Sequence, residues 1–217
     1  IADAVRLTPI TALLDANGQP DGNFRLCPVR LDWIDLFEPE KPKKQKDGSM
    51  SAGGKFGATL IFPVGADISL LETAARNLAY QKKPEAYDQQ TGLFHGVHMP
   101  FRDGREKCMS QEGYLPGGMF TTAKTKFQPQ ILMPGSVGPD GRMQWVPVTD
   151  PKKVYPGVWA IPVCNAFWFD VGVKKGVSLG LQNVCLISDD QRLGGGSGGR
   201  DAQRDFSGVQ ITPNADF

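Results

Sequence analysis

The stretch YPGVWAIPVCNAFWFDVGVKKGVSLGLQNVCLISD, from Tyr155 to Asp189, constrains the fold more than any other part of the chain. It reads as two strands joined by a short basic turn. Side chains alternate across a strand, so Val158, Ala160, Pro162, Cys164, Ala166 and Trp168 share one face of the first arm. Trp159, Ile161, Val163, Asn165, Phe167 and Phe169 share the other. Neither face is cleanly polar, so both are covered: one by protein, the other by protein or ligand. In the second arm Val177, Leu179, Leu181, Asn183, Cys185 and Ile187 alternate with Ser178, Gly180, Gln182, Val184, Leu186 and Ser188. Gly176 and Gly180 mark a bend or a close backbone approach. The turn carries Lys174 and Lys175, shortly after Phe167, Trp168 and Phe169. Aromatic rings beside lysines at a hairpin tip stack bases and neutralise phosphates. A core strand ending in a solvated turn has the same composition, so the hairpin alone leaves both readings open.

The rest of the chain agrees with a β-rich fold. Gly 26 and Pro 17 in 217 residues favour many turns and short strands over a helical bundle. The length suits one domain with elaborations, long enough for a proper core. A net charge of +1 means that nucleic-acid binding has to rest on local patches. The sequence shows no apolar run of membrane-spanning length and no signal-type start. It begins at Ile1, as a piece of a longer gene product would. Cys27, Cys108, Cys164 and Cys185 show no CxxC pairing and read as small buried hydrophobes of a reducing compartment.

In chain order, residues 1–22 read as a leader, with a helical turn over Ile10 to Leu14. Asn23 to Phe37 reads as one long strand whose period slips at Pro28 and Val29, predicting a bulge there. Glu38 to Gly54 is a polar insert carrying Lys41, Lys43, Lys44 and Lys46, with Lys55 just beyond. Lys55 to Pro63 alternates as a second strand. A helix follows over Ile68 to Lys82, with a Ser69–Glu72 capping box, a stripe of Leu70, Leu71, Ala74, Leu78 and Ala79, and a stop at Pro84. Tyr87 to Lys107 is a polar excursion. His95 and His98 lack a suitably spaced fourth ligand for zinc, and Phe101 and Arg102 are better candidates for nucleic-acid contact. From Tyr114 to Met133 a third strand interleaves Phe120, Lys124 and Lys126 on one face. Residues 191–217 read as a glycine linker and flexible tail.

The segments VYPGVWAIPVCNAFWF and KKGVSLGLQNVCLISDDQRLGG resemble the C-terminal half of the phage single-stranded-DNA-binding proteins long catalogued as a domain of unknown function. The matching residues include Tyr155, Gly157, Lys175, Gly176, Val177, Ser178, Gly180, Leu181, Val184, Asp189, Leu193 and Gly194. RLDWIDLFEPE, KFGATLIFP, MPFRDGREK and GYLPGGMFTTAKTK resemble earlier segments of that family, in matching order. The resemblance implies a mainly β protein: an OB-fold, the five-stranded Greek-key barrel, over residues 23–190, with one helix and extended loops. In such a fold the loop between the first two strands and the loop at Val171 to Lys175 border the oligonucleotide groove. Both carry lysines here. The implied DNA-binding set is Lys41, Lys43, Lys44, Lys46, Lys55, Phe101, Arg102, Phe120, Lys124, Lys126, Phe167, Trp168, Lys174 and Lys175. Trp159, deeper in its strand, is expected in the core. The resemblance further implies sequence-tolerant binding of single-stranded DNA in phage replication, recombination and repair, in the host-cell cytoplasm, without cofactor, metal or enzymatic activity. Related short-tailed phage proteins end in an acidic tail with a terminal aromatic residue that meets replication proteins. Asp216 and Phe217 match that ending, although five Asp against three Arg from Asp189 onward is only weakly acidic.

Two other classes compete. A structural or interaction β-barrel of a phage particle needs no basic groove edge, and a hydrolase using Cys108 with His95 or His98 lacks any GxSxG, P-loop or HExxH motif.

Overall fold

The alternating arms of the organising hairpin form two long antiparallel strands, Trp159–Val171 and Lys174–Ser188. They belong to a computed structural model that describes residues 8–42, 44, 50 and 53–194. In chain order the elements are β1 (Thr11–Leu14), β2 (Pro20–Arg25), β3 (Val29–Asp35), β4 (Phe56–Ile61), α1 (Ser69–Lys82), β5 (Tyr87–Asp88), β6 (Leu93–Phe94), β7 (Arg102–Asp103), β8 (Met119–Thr125), β9 (Gln130–Val137), β10 (Met143–Pro147), β11 (Trp159–Val171) and β12 (Lys174–Ser188).

Five of these strands close a ring. β3 pairs with β4, β4 with β8, β8 in parallel with β12, β12 with β11, and β11 returns to β3 through Trp159↔Arg30. This is the OB-fold barrel, with its one parallel contact between third and fifth strands. Closure removes the free edges of these strands where they pair. Two hairpins enlarge the sheet: β1–β2 adds to β11, and β9–β10 adds in parallel to β12. The barrel interior is mainly apolar, filled by Val29, Leu31, Leu36, Leu60, Phe62, Ala123, Ala160, Cys164, Leu179 and Leu181 among others. Ile68, the cap of α1, and Leu71 join that core, while Ala75 and Ala79 pack on Val97 and Val177, so the helix plugs one end and covers β11 and β12.

Several expectations need correction. The leader is not helical over Ile10 to Leu14: Thr11–Leu14 is a strand, hydrogen-bonded to β2. The single strand expected over Asn23 to Phe37 is two, because Leu26 and Cys27 dive into the core and Pro28 has no N–H to donate. The bulge lies further on, between Asp32 and Asp35. In β12 a second bulge leaves Gln182 unmatched, since Val163 pairs with Asn183 and Cys164 with Leu181. A one-residue slip exchanges the faces. Beyond it Val184 and Leu186 are buried in place of Asn183 and Ile187. The Ser69–Glu72 capping box does not form; Ile68 is the cap, and the Ser69 N–H donates to Asp67 Oδ1 at 3.0 Å. Leu70 is exposed, and the buried stripe is Leu71, Ala75 and Ala79. Among the described residues, no helix is long and apolar enough to cross a membrane.

Candidate nucleic-acid interface

On the outer face of the barrel one register row runs Asp35, Gly57, Lys124, Gly180 and Asn165, from β3 through β4, β8 and β12 to β11. Lys124 therefore has a glycine on each side. At Gly57 a Cβ would lie 2.5 Å from the Ala123 carbonyl and 2.9 Å from Lys124 Cγ, so the lysine stem occupies the space a side chain would fill. At Gly180 a Cβ would collide with Asn165 Oδ1 and lie 3.6 Å from the Phe167 ring. The Lys124 stem thus fills the place of a side chain at Gly57, and Asn165 does so at Gly180, with the Phe167 ring beside it. On this face lies an open groove of about 410 Å³, lined by Lys55, Thr122, Lys124, Thr125, Lys126, Phe167 and Ser178. Its walls match what a single strand presents: hydroxyls and ammonium groups for the phosphates, and a half-exposed ring for a base. Lys124 is held at 2.5 Å by Glu40, whose backbone is fixed by bonds to Lys55 and Gly54. An acid thus sits among the groove's cations.

The structure brings together Lys55, Lys124, Lys126 and Phe167 from three separate parts of the chain. Lys41 and Lys44 are exposed on the loop that joins β3 to β4, which doubles back through a Lys44↔Met50 bridge. Lys174 is exposed beside the hairpin turn, and Lys175 pairs with Asp170 at 3.1 Å. Lys43, Lys46, Asp216 and Phe217 lie outside the described residues.

Three aromatic candidates are elsewhere. Phe120 shares a face with Thr122 and Lys124, but it is 2% exposed. Tyr114 packs edge-on to it at 5.1 Å, while Arg102 and Lys107 lie over the ring at 4.9 Å and 4.8 Å. That end of the outer face is roofed by residues 104–118 and Leu193, so no base reaches the ring. Phe101 is half-buried between the barrel core and the helix layer, edge-on to Phe62 at 6.4 Å. Trp168 belongs to the inner face of β11 and packs beneath α1, because only odd-numbered residues of that strand face outward. Arg102 is exposed yet paired with Glu106. Trp159 is not core: its indole N–H donates to Asp190 Oδ2 at 2.7 Å, with Arg30 over the ring at 6.0 Å.

Burial orders the electrostatics of the roofed end. Tyr114 donates to Asp32 Oδ2 at 2.7 Å, and desolvation followed by that carboxylate pushes the phenol far above its ordinary range. Desolvation also lowers Lys107, against the attraction of Asp32. His95 contacts Asp88, whereas His98 bridges Gly176 through its backbone and lays its ring against Phe169. All four cysteines are free thiols.

Sequence reasoning missed Thr122, Thr125, Ser178 and Glu40 as parts of this site. Alternation placed Thr122 beside Lys124, so that signal was readable. The pairing of Ser178 with Phe167 and the reach of Glu40 to Lys124 depend on register and loop path, which carry no local signature.

No curated protein sequence matches the chain. Among solved structures, the single-stranded DNA-binding protein from bacteriophage Enc34 in complex with ssDNA superposes with a TM-score of 0.53 at 17% identity, over 79% of this chain and 89% of that one. A C-terminal truncation of the same protein gives 0.54 at 16% identity, over 84% and 97%. These likenesses concern the fold. The sequence itself matches, over residues 24–216, the family described as the ssDNA-binding protein of Enterobacter phage Enc34, and the chain belongs to that family.

Proposed function

We propose that this protein binds single-stranded DNA with little sequence preference, and that the groove around Lys124 and Phe167 is where it does so. The observation that carries the reading is the groove in which Lys55, Lys124 and Lys126 meet the Phe167 ring, on the face crossed by the row Gly57, Lys124, Gly180. Family membership supports it, as does the solved relative that holds ssDNA on this fold. Lys55, Lys124 and Lys126 neutralise phosphates, Phe167 stacks a base, and the hydroxyls of Thr122, Thr125 and Ser178 complete the lining. Lys41 and Lys44 on one loop and Lys174 and Lys175 on the other extend the positive margin, and Lys43 and Lys46, outside the described residues, add charge to the same sequence segment. Ring stacking and ammonium–phosphate contact dominate this set, and both accept any base, so binding is sequence-tolerant. The role is that of a binding protein, not an enzyme, coating strands exposed in phage replication, recombination and repair in the host cytoplasm.

Anisotropy of labelled oligo-dT, duplex DNA and RNA at two salt concentrations tests this directly. Tight binding to oligo-dT that weakens steeply with salt is expected. Equal, weak, salt-insensitive binding to all of them would refute it.

A further inference from the structure

Trp33 is the one non-glycine residue with a left-handed backbone among the described residues, at φ 46, and it is 57% exposed. A bulky side chain in that region is a true outlier, and such strain persists only where the surrounding structure imposes it. Here the cause is the β3 bulge. Asp32 pairs with Thr59 and Asp35 with Gly57, so Trp33 and Ile34 together stand opposite Ala58. Ile34 packs against the core, and Leu36 returns to full burial. Strict alternation from Leu31 would have sent the indole inward; the bulge turns it out instead. Because the barrel interior is filled, an exposed Trp33 stands on its outer surface.

Register fixes where. On one side of Trp33 runs the row Asp32, Thr59, Thr122, and on the other the row Asp35, Gly57, Lys124. Both rows lead into the groove, so Trp33 flanks it from β3 while Phe167 flanks it from β11. Four inter-strand steps separate those two strands along the outer face, an arc of about 19 Å at about 4.8 Å per step.

We propose that Trp33 is a second stacking platform, and that it makes the site select single strands over duplex. This rests on the groove reading above. An indole face accepts only a base that has left its stack and its pair, whereas the groove's lysines attract the phosphates of either form. A strand bound on both rings crosses the barrel from β11 to β3.

The test compares Trp33→Ala, Trp33→Gly and Phe167→Ala with the full chain, measuring Kd for oligo-dT and for a DNA hairpin duplex, and the Tm. Trp33→Ala should weaken oligo-dT binding about tenfold while changing duplex binding by less than about twofold. Trp33→Gly should show the same loss with an undiminished Tm, since glycine adopts this backbone freely. Equal losses for single strand and duplex would overturn the proposal, as would a Tm that falls in both Trp33 variants together with affinity. Unchanged oligo-dT binding in both, with Phe167→Ala weakened, would also overturn it and leave the groove standing. No effect from any of the three would refute the groove itself.

Discussion

Glu40→Gln isolates the acid that sits among the groove's cations. The substitution keeps the shape of the side chain, and the backbone bonds from Glu40 N to Lys55 O at 2.7 Å and from Gly54 N to Glu40 O at 2.8 Å need no side-chain charge. Among the described contacts, it removes the attraction to Lys124 across 2.5 Å. The Lys124 side chain is 40% exposed and that of Glu40 19%, so solvent screens the pair, and it contributes at most about 1 kcal/mol to stability. A phosphate that takes Lys124 must draw it from Glu40. Removing the competitor therefore returns up to about 1 kcal/mol to binding, roughly a fivefold lower Kd. Freeing one more cation for phosphate also steepens the salt dependence by about 0.7 in the log–log slope. Anisotropy of labelled oligo-dT over a salt series measures both quantities on one protein. If Glu40→Gln binds more weakly, with a shallower slope, Glu40 positions Lys124 for phosphate and the competition argument is wrong.

Three further outcomes are expected. Lys55→Ala with Lys126→Ala should reduce the salt slope by about 1.4 in total, read from the same titration, while the unfolding midpoint stays near that of the parent. Gly180→Ala drives a methyl into Asn165 Oδ1 and against the Phe167 ring, so Asn165 must swing aside and oligo-dT affinity should fall, while stability in a urea titration changes by less than about 1 kcal/mol. For Asp190, burial alone pushes the carboxyl up, but the Gln191 N–H, the Trp159 indole and Arg30 outweigh it and hold it below its ordinary value. A depressed carboxyl contributes stability that is present above about pH 4 and is lost as pH falls through the folded value. Asp190→Asn should therefore flatten part of the acid limb of stability against pH, measured by denaturant unfolding between about pH 5 and 2.5, and an unchanged limb would show that the Asp190 contacts carry no linkage.

Much of this fold was legible because strand alternation is a local property. The faces of β11 could be read residue by residue from Trp159 to Phe169, and the burial of Ala160, Pro162 and Cys164 follows them. Lys124 could be placed outward on β8 for the same reason, with Lys126 just beyond the strand's end. The reading failed where the backbone gained a residue. Neither the unmatched Gln182 nor the extra residue at Trp33–Ile34 leaves a compositional mark, yet each reverses the faces beyond it.

By itself, then, the sequence determined the long hairpin and the strand at Phe56–Ile61, which side chains can share a face over an unbroken run, and that basic loops flank an aromatic strand. Only the tertiary structure decided which of those rings meet solvent. Phe167, Trp168 and Phe120 look alike in sequence, each an aromatic near lysines. Ring closure through β11 and β3, the helix laid over Trp168 and the roof over Phe120 leave Phe167 alone of the three facing the cations. A groove is made by which residues are neighbours across strands, and that depends on register and closure, which join residues far apart in the chain.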